Sequence, residues 1–121
     1  GERVDGYEML QTIMSAGKNK LIGLDLSNNS ISTGGDTFIS DFLAINSVLI
    51  VLELSGNELD GNDAVAIAGA LKHNTNLRFL DVRNNSKITE TGWAALRKAE
   101  FDETSLNSAA DSNHTCYIKY P

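Results

Sequence analysis

The chain has 121 residues, 41% of them hydrophobic and one a proline, a composition that reads as one folded globular domain and argues against disorder. Its formal net charge of −6 leaves no excess of Lys and Arg to release counterions from a phosphate backbone, which argues against nucleic acid as a partner. No apolar run approaches the roughly 20 residues of a membrane span. Cys116 is the only cysteine; with no internal disulfide to form, an intracellular compartment, cytosolic or organellar, is favoured over secretion.

Gly1-Glu2-Arg3-Val4-Asp5 carries neither an initiator Met nor the basic and apolar regions of a signal peptide, so the chain reads as a processed product or an excised fragment. Asp5-Gly6-Tyr7-Glu8 has capping-box spacing ahead of Tyr7, Leu10, Ile13 and Met14. This predicts a helix over about 5 to 16, within an N-terminal unit of residues 5–20. It has no strand of its own, and is either a cap on the rest of the chain or the stump of a removed repeat.

Three copies of one pattern come next, at an offset of 28 residues: Leu21-Ile-Gly-Leu24-Asp-Leu26-Ser-Asn-Asn29, Leu49-Ile-Val-Leu52-Glu-Leu54-Ser-Gly-Asn57 and Leu77-Arg-Phe-Leu80-Asp-Val82-Arg-Asn-Asn85. Alternating apolar residues at the start of each copy predict a short strand, ended by the Asn. The second halves change to helical spacing: Phe38, Ile39, Phe42, Leu43; then Val65, Ile67, Ala68, Leu71; then Trp93, Ala94, Leu96. Strands that each return through a helix must run parallel, so the repeats 21–48, 49–76 and 77–104 predict a stack with strands on one side and helices on the other. Gly35 and Gly92 are expected to permit a close or left-handed turn into a helix. The third copy carries one extra residue in Asn85-Ser86-Lys87-Ile88, which predicts a local bulge. Asn113 keeps the 28-residue phase, so Ser105 to Ser112 reads as a degenerate fourth strand, within a C-terminal cap and tail of residues 105–121.

The run LxxLxLxxN, then Ile31, Leu59 or Ile88, a turn and an Ala- and Leu-rich helix, best developed in Gly61 to Asn74, resembles the ribonuclease-inhibitor-like leucine-rich-repeat family. The resemblance covers about Tyr7 to Ala99. It implies an α/β solenoid, a short horseshoe with parallel strands on the concave side and helices on the convex side, of about three full repeats plus end caps. That family hosts inhibitors, GTPase activators, actin regulators and immune receptors, so the resemblance implies protein binding without choosing the partner.

Between the buried leucines, side chains project from the concave face in rows. One row holds Gly23, Val51 and Phe79; the next, Asp25, Glu53 and Asp81; the last, Ser27, Ser55 and Arg83. Three carboxylates on strands about 4.8 Å apart repel one another, and folding has no need of them. They are read as a stripe, with Val51 and Phe79 as apolar anchors, that receives a Lys- or Arg-bearing segment of a partner protein; the alternative is a solvated acidic face. Arg83 is placed to neutralise Asp81 or Asp111 in part. Asn29, Asn57 and Asn85 are expected to point inward and satisfy backbone groups at the corner after each strand.

The remaining signals are weaker. His73 is expected to cap a helix C-terminus, and His114 with Cys116 makes at most half a zinc site. Trp93 is expected to pack against the neighbouring helix. Asn28-Asn-Ser30, Asn84-Asn-Ser86 and Asn113-His-Thr115 are glycosylation sequons that matter only if the protein is secreted. Tyr117-Ile118-Lys119-Tyr120-Pro121 either folds back over the last repeat or contacts another molecule. No catalytic, cofactor-binding or metal-binding residues are assigned. The expected function is a non-catalytic interaction module, either a scaffold fragment or an accessory subunit of a multiprotein assembly, with a regulator acting on an enzyme in trans, of GTPase-activating or actin-regulating type, as the alternative. An extracellular recognition domain would predict disulfide-bonded caps, which one cysteine cannot form.

Overall fold

The computed structural model describes residues 5–45, 47–110 and 116–120, and for 101–110 the backbone alone. Along them helices and strands alternate: α1 (Gly6–Ala16), β1 (Gly23–Asp25), α2 (Phe38–Ala44), β2 (Val51–Glu53), α3 (Gly61–Leu71), β3 (Phe79–Asp81), α4 (Glu90–Ala110) and β4 (Tyr117–Lys119). The strands form one parallel sheet in the order β1-β2-β3-β4, as crossover through a helix requires. In register, Leu24 faces Leu52, Leu52 faces Leu80, and Leu80 faces Ile118.

The core lies between this sheet and the helices. Leu52, Leu54 and Leu80 are fully buried from the sheet side, and Ile31, Leu59 and Ile88 close the corner beyond it. From the helices come Ile39, Phe42 and Leu43, then Ala64, Ile67, Ala68 and Leu71, then Leu96 and Ala99. Burying one Leu in that wedge contributes about 1.5 to 3 kcal/mol. Val65, counted with the apolar face in the sequence pattern, points outward instead, and Ala64 takes the inward position. At the N-terminus the Asp5 carboxylate caps α1 by accepting from the Tyr7 N–H at 2.9 Å.

Strands of three residues pair little backbone, so the polar groups at each corner need other partners. Asn57 meets that need across two turns. Its Oδ1 accepts from the N–H groups of Asn29 (2.9 Å) and Ile31 (3.0 Å), and its Nδ2 donates to the carbonyls of Leu26 and Leu54 (both 3.0 Å). Asn85 does the same one turn on, accepting from the Leu59 N–H (2.9 Å) and donating to Leu54 (3.0 Å) and Val82 (2.9 Å). Asn29, half-buried in the first turn, donates to the Ser27 carbonyl at 3.0 Å. A second buried asparagine, Asn74, locks the opposite corner: Nδ2 donates to the Leu43 carbonyl (2.8 Å), and Oδ1 accepts from the N–H groups of Asn76 (2.9 Å) and Leu77 (2.7 Å). The sequence pattern left it out, although Asn46 and Asn74 stand one period apart.

Gly35 has φ +90°, a conformation L side chains rarely adopt. Gly92 is needed for space: a Cβ there would lie 2.9 Å from Ile88 Cγ2 and 3.0 Å from Ala64 Cβ, where α4 crosses α3. The extra residue of the third copy is taken up in a turn that the Ile88 N–H closes onto the Asn85 carbonyl at 2.9 Å. His73 lies past the end of α3, whose C-cap is Lys72, and its N–H donates to the Ala70 carbonyl at 3.0 Å.

The C-terminal end departs from the 28-residue phase. Ser105 to Ala110, expected as a degenerate strand, belong to α4, so the boundary expected at 104/105 falls inside a helix. No Gly or Pro follows Gly92 until Pro121, and nothing local stops the helix. The fourth strand is Tyr117–Lys119, with Tyr117 facing Phe79 from 38 residues on, ten more than the repeat. The tail thus folds back over the last repeat. Glu100 Oε2 accepts from the Ile118 N–H at 2.8 Å, and Tyr120 meets Trp93 edge-on with ring centroids 5.9 Å apart. Trp93 therefore packs on the tail rather than only along a helix. Asp111, Ser112, Asn113, His114 and Thr115 lie outside the described residues, and with them the His114 half of the considered metal pair and the third sequon.

Asn57→Ala strands several buried backbone groups in two turns and is expected to cost about 3 kcal/mol in urea denaturation, against under about 1 kcal/mol for Asn29→Ala. Equal losses would show that the bonds between turns are not what Asn57 contributes.

Candidate functional site

The open face of the sheet carries four-residue rows set by strand register. The first is Gly23, Val51, Phe79 and Tyr117; the second, Asp25, Glu53, Asp81 and Lys119. Both rows gain a fourth member that sequence phase did not supply, because β4 arrives late. Phe79 stacks on Tyr117 with centroids 5.9 Å apart and planes 19° from parallel. Lys119 Nζ lies 5.7 Å from the Phe79 ring centroid, a favourable cation–π placement. Tyr117 is exposed, whereas Val51 and Phe79 are half-buried.

The acidic row is not uniform. Asp25 is exposed and Glu53 half-buried, but Asp81 is 4% exposed and already bound. Arg83 grips it twice, Nε to Oδ1 at 3.1 Å and Nη2 to Oδ2 at 2.9 Å, and the Arg83 N–H donates to Oδ1 at 3.0 Å. Burial by itself would push the Asp81 carboxyl up; the Arg83 side chain and amide outweigh it and hold the carboxyl below the ordinary carboxylate value. The expected three-carboxylate stripe therefore reduces to Asp25 and Glu53, and Asp81 with Arg83 forms an internal pair. In the last row the places of Arg83 are taken by Ser27 and Ser55, whose hydroxyls are bonded at 3.1 Å. Ser27 donates from its hydroxyl and its amide to Asp25, the amide at 3.0 Å, and holds that carboxyl low. Among the described residues no cation forms an ion pair with Asp25 or Glu53.

Ile22 and Ile50, one residue ahead of the first row, were not singled out by the sequence pattern. They are 52% and 38% exposed, and they adjoin through the Ile50 N–H, which donates to the Ile22 carbonyl at 2.7 Å. Their 28-residue spacing was the available signal. Among the described residues no group of three or more His, Cys, Asp or Glu could hold a metal ion, and no helix is long and apolar enough to cross a membrane. Cys116, the one cysteine of the sequence, is buried in the core.

With strand, corner and helix recurring in this geometry, comparison with known families is direct. A model of the family "Leucine Rich repeat" matches residues 46–68 and 73–96, and one of "Leucine Rich Repeat" matches residues 20–42. The chain is a leucine-rich-repeat protein. Among solved structures this repeat protein is similar to "Leiomodin-1 Actin-Binding Site 2 (ABS2)", with a TM-score of 0.70 and 18% identity, over 99% of this chain and 63% of that one. The chain thus spans less than two thirds of that structure's length, and at this identity the likeness is one of fold. A search of curated proteins finds no match.

Arg83→Ala removes the side-chain partner of Asp81, which keeps the residue-83 amide, and is expected to lower the urea midpoint at neutral pH. Because the folded-state value of Asp81 is depressed, the pair's contribution is complete above about pH 4, the unfolded value, and is lost as pH falls through the lower folded value. Urea denaturation of both proteins at neutral and acidic pH should therefore show a gap that narrows in acid; a gap that stays constant would mean the loss is one of packing.

Proposed function

We propose that this repeat protein is a non-catalytic protein-interaction module of the ribonuclease-inhibitor-like type, and that its concave face binds a partner presenting a basic segment. One observation carries the reading. Of the three carboxylates aligned on β1, β2 and β3, the third has an internal arginine and the first two have serines where that arginine would stand. The Asp25 and Glu53 side chains interact with each other and Asp25 with Ser27, and among the described residues neither forms an ion pair, which leaves both open to a partner's Lys or Arg. Val51 and Phe79 flank the pair as apolar contacts, and Arg83 acts by holding Asp81. In this reading the module works as a scaffold segment or an accessory subunit of a larger assembly in a reducing compartment, without a cofactor.

The second reading is a regulator acting in trans, of GTPase-activating or actin-regulating type. Similarity to an actin-binding site of leiomodin-1 over 99% of the chain favours the actin form, and co-sedimentation with filamentous actin separates the two.

The first reading is tested by affinity capture from native extract with the wild type beside Asp25→Asn/Glu53→Gln, read by mass spectrometry, with circular dichroism to confirm folding. The double variant is expected to lose at least about tenfold of a captured partner, with the wild-type interaction weakening as salt is raised. A partner held equally by both proteins would overturn the concave reading and move attention to the helices.

A further inference from the structure

Gly23 is the one glycine among the described strand residues, and no contact among the described residues asks for it. Its backbone is extended in β1, outside the left-handed region. A Cβ built on it would meet only Val51 Cβ, at 4.0 Å. Glycine weakens a strand relative to almost any other residue, and in strands it often marks a place where another backbone or a ligand comes close. Val51 stands beside Gly23 on the adjacent strand, and the residues just ahead of the two, Ile22 and Ile50, are 52% and 38% exposed. Two residues along, Asp25 and Glu53 present carboxylates that form no ion pair among the described residues. Exposed aliphatic residues, an absent side chain and a pair of carboxylates come together at the β1–β2 end of the sheet.

We propose that the hollow over Gly23 receives an apolar side chain of a partner protein, whose neighbouring Lys or Arg lies against Asp25 and Glu53. The proposal rests on the concave face being the binding face, and it names the chemistry received there. Charge selects the occupant. A second copy packed about a two-fold axis at this hollow would set Asp25 and Glu53 against their own equivalents, and an anionic lipid surface would meet the same repulsion. A protein segment carrying an apolar residue beside a basic one matches both parts of the surface.

The probes are the capped dipeptides acetyl-Leu-Arg-amide, acetyl-Gly-Arg-amide and acetyl-Leu-Glu-amide, titrated at millimolar concentration against the 121-residue chain and followed by amide chemical shifts. Acetyl-Leu-Arg-amide is expected to move the amides of residues 22–25 and 50–53 saturably. The other two should do so at least about tenfold more weakly. Gly23→Val, which fills the hollow with a strand-favouring residue, is expected to keep or raise the thermal midpoint and to abolish the response. Ile50→Ser, at an exposed position beside Val51, should weaken it without unfolding the chain. Equal responses to the Gly-Arg and Leu-Arg probes, or a folded Gly23→Val that responds as wild type does, would overturn the hollow. A silent hollow alongside a captured partner that still depends on Asp25 and Glu53 would sink the hollow alone; capture independent of those carboxylates would sink the concave reading itself.

Discussion

What the structure depends on most is the disposal of polar backbone at the corner after each strand. A three-residue strand gives its chain few ladder bonds, and the turn beyond it carries N–H and C=O groups into the interior. A carboxamide has both donors and an acceptor, so one asparagine can serve both sides of a turn. Asn57 reaches back to Leu26, Asn29 and Ile31 and stays within its own turn at Leu54. An aspartate has no donor to offer those carbonyls, and a leucine would leave every one of these groups unpaired. The repeat length is set by the same need, because the distance in chain from one corner to the next must return the same atoms to the same place.

Once the corners are in phase, everything between them stacks. Leu24, Leu52, Leu80 and Ile118 lie side by side facing inward, and the residues beside them face outward in rows. The rows therefore arise from packing, and their chemistry is free to vary where packing makes no demand. This separates the inward leucines, which any three-turn stack needs, from Gly23, Asp25 and Glu53, which it does not.

How much of this is legible in the chain depends on whether a residue is tied to the period. The inward leucines, the corner asparagines and the alternation of strand and helix repeat every 28 residues, so register follows from alignment alone. The fourth strand is not so tied. Extrapolating the phase places it at Ser105 to Ser112, with Ala109 and Ala110 in place of leucines, whereas Ser105 to Ala110 extend a helix that meets no Gly or Pro to stop it. Tyr117 and Lys119 consequently enter the rows from a segment read as an unplaced tail. The fate of Asp81 was only half legible: spacing puts Arg83 near it, but only the fold shows two nitrogens of the guanidinium on a carboxylate buried to 4% exposure.

The internal pair also gives the concave face a direction. Along the second row the charges run from Asp25 and Glu53, through Asp81 cancelled by Arg83, to Lys119 held near the Phe79 ring. Strands about 4.8 Å apart spread that change of sign over roughly 14 Å, longer than the Debye length of about 8 Å at physiological ionic strength. The two ends are therefore screened from each other, and under the proposed reading a partner would feel them separately. A segment laid across the strands with its basic end over β1 and β2 gains at that end without repulsion from Lys119, and the reversed segment places its cation beside Lys119 and Arg83 and loses the gain. Discrimination between these orientations needs no contact beyond the rows themselves, which is a reason for one turn of the solenoid to carry its own arginine and the other two to carry none.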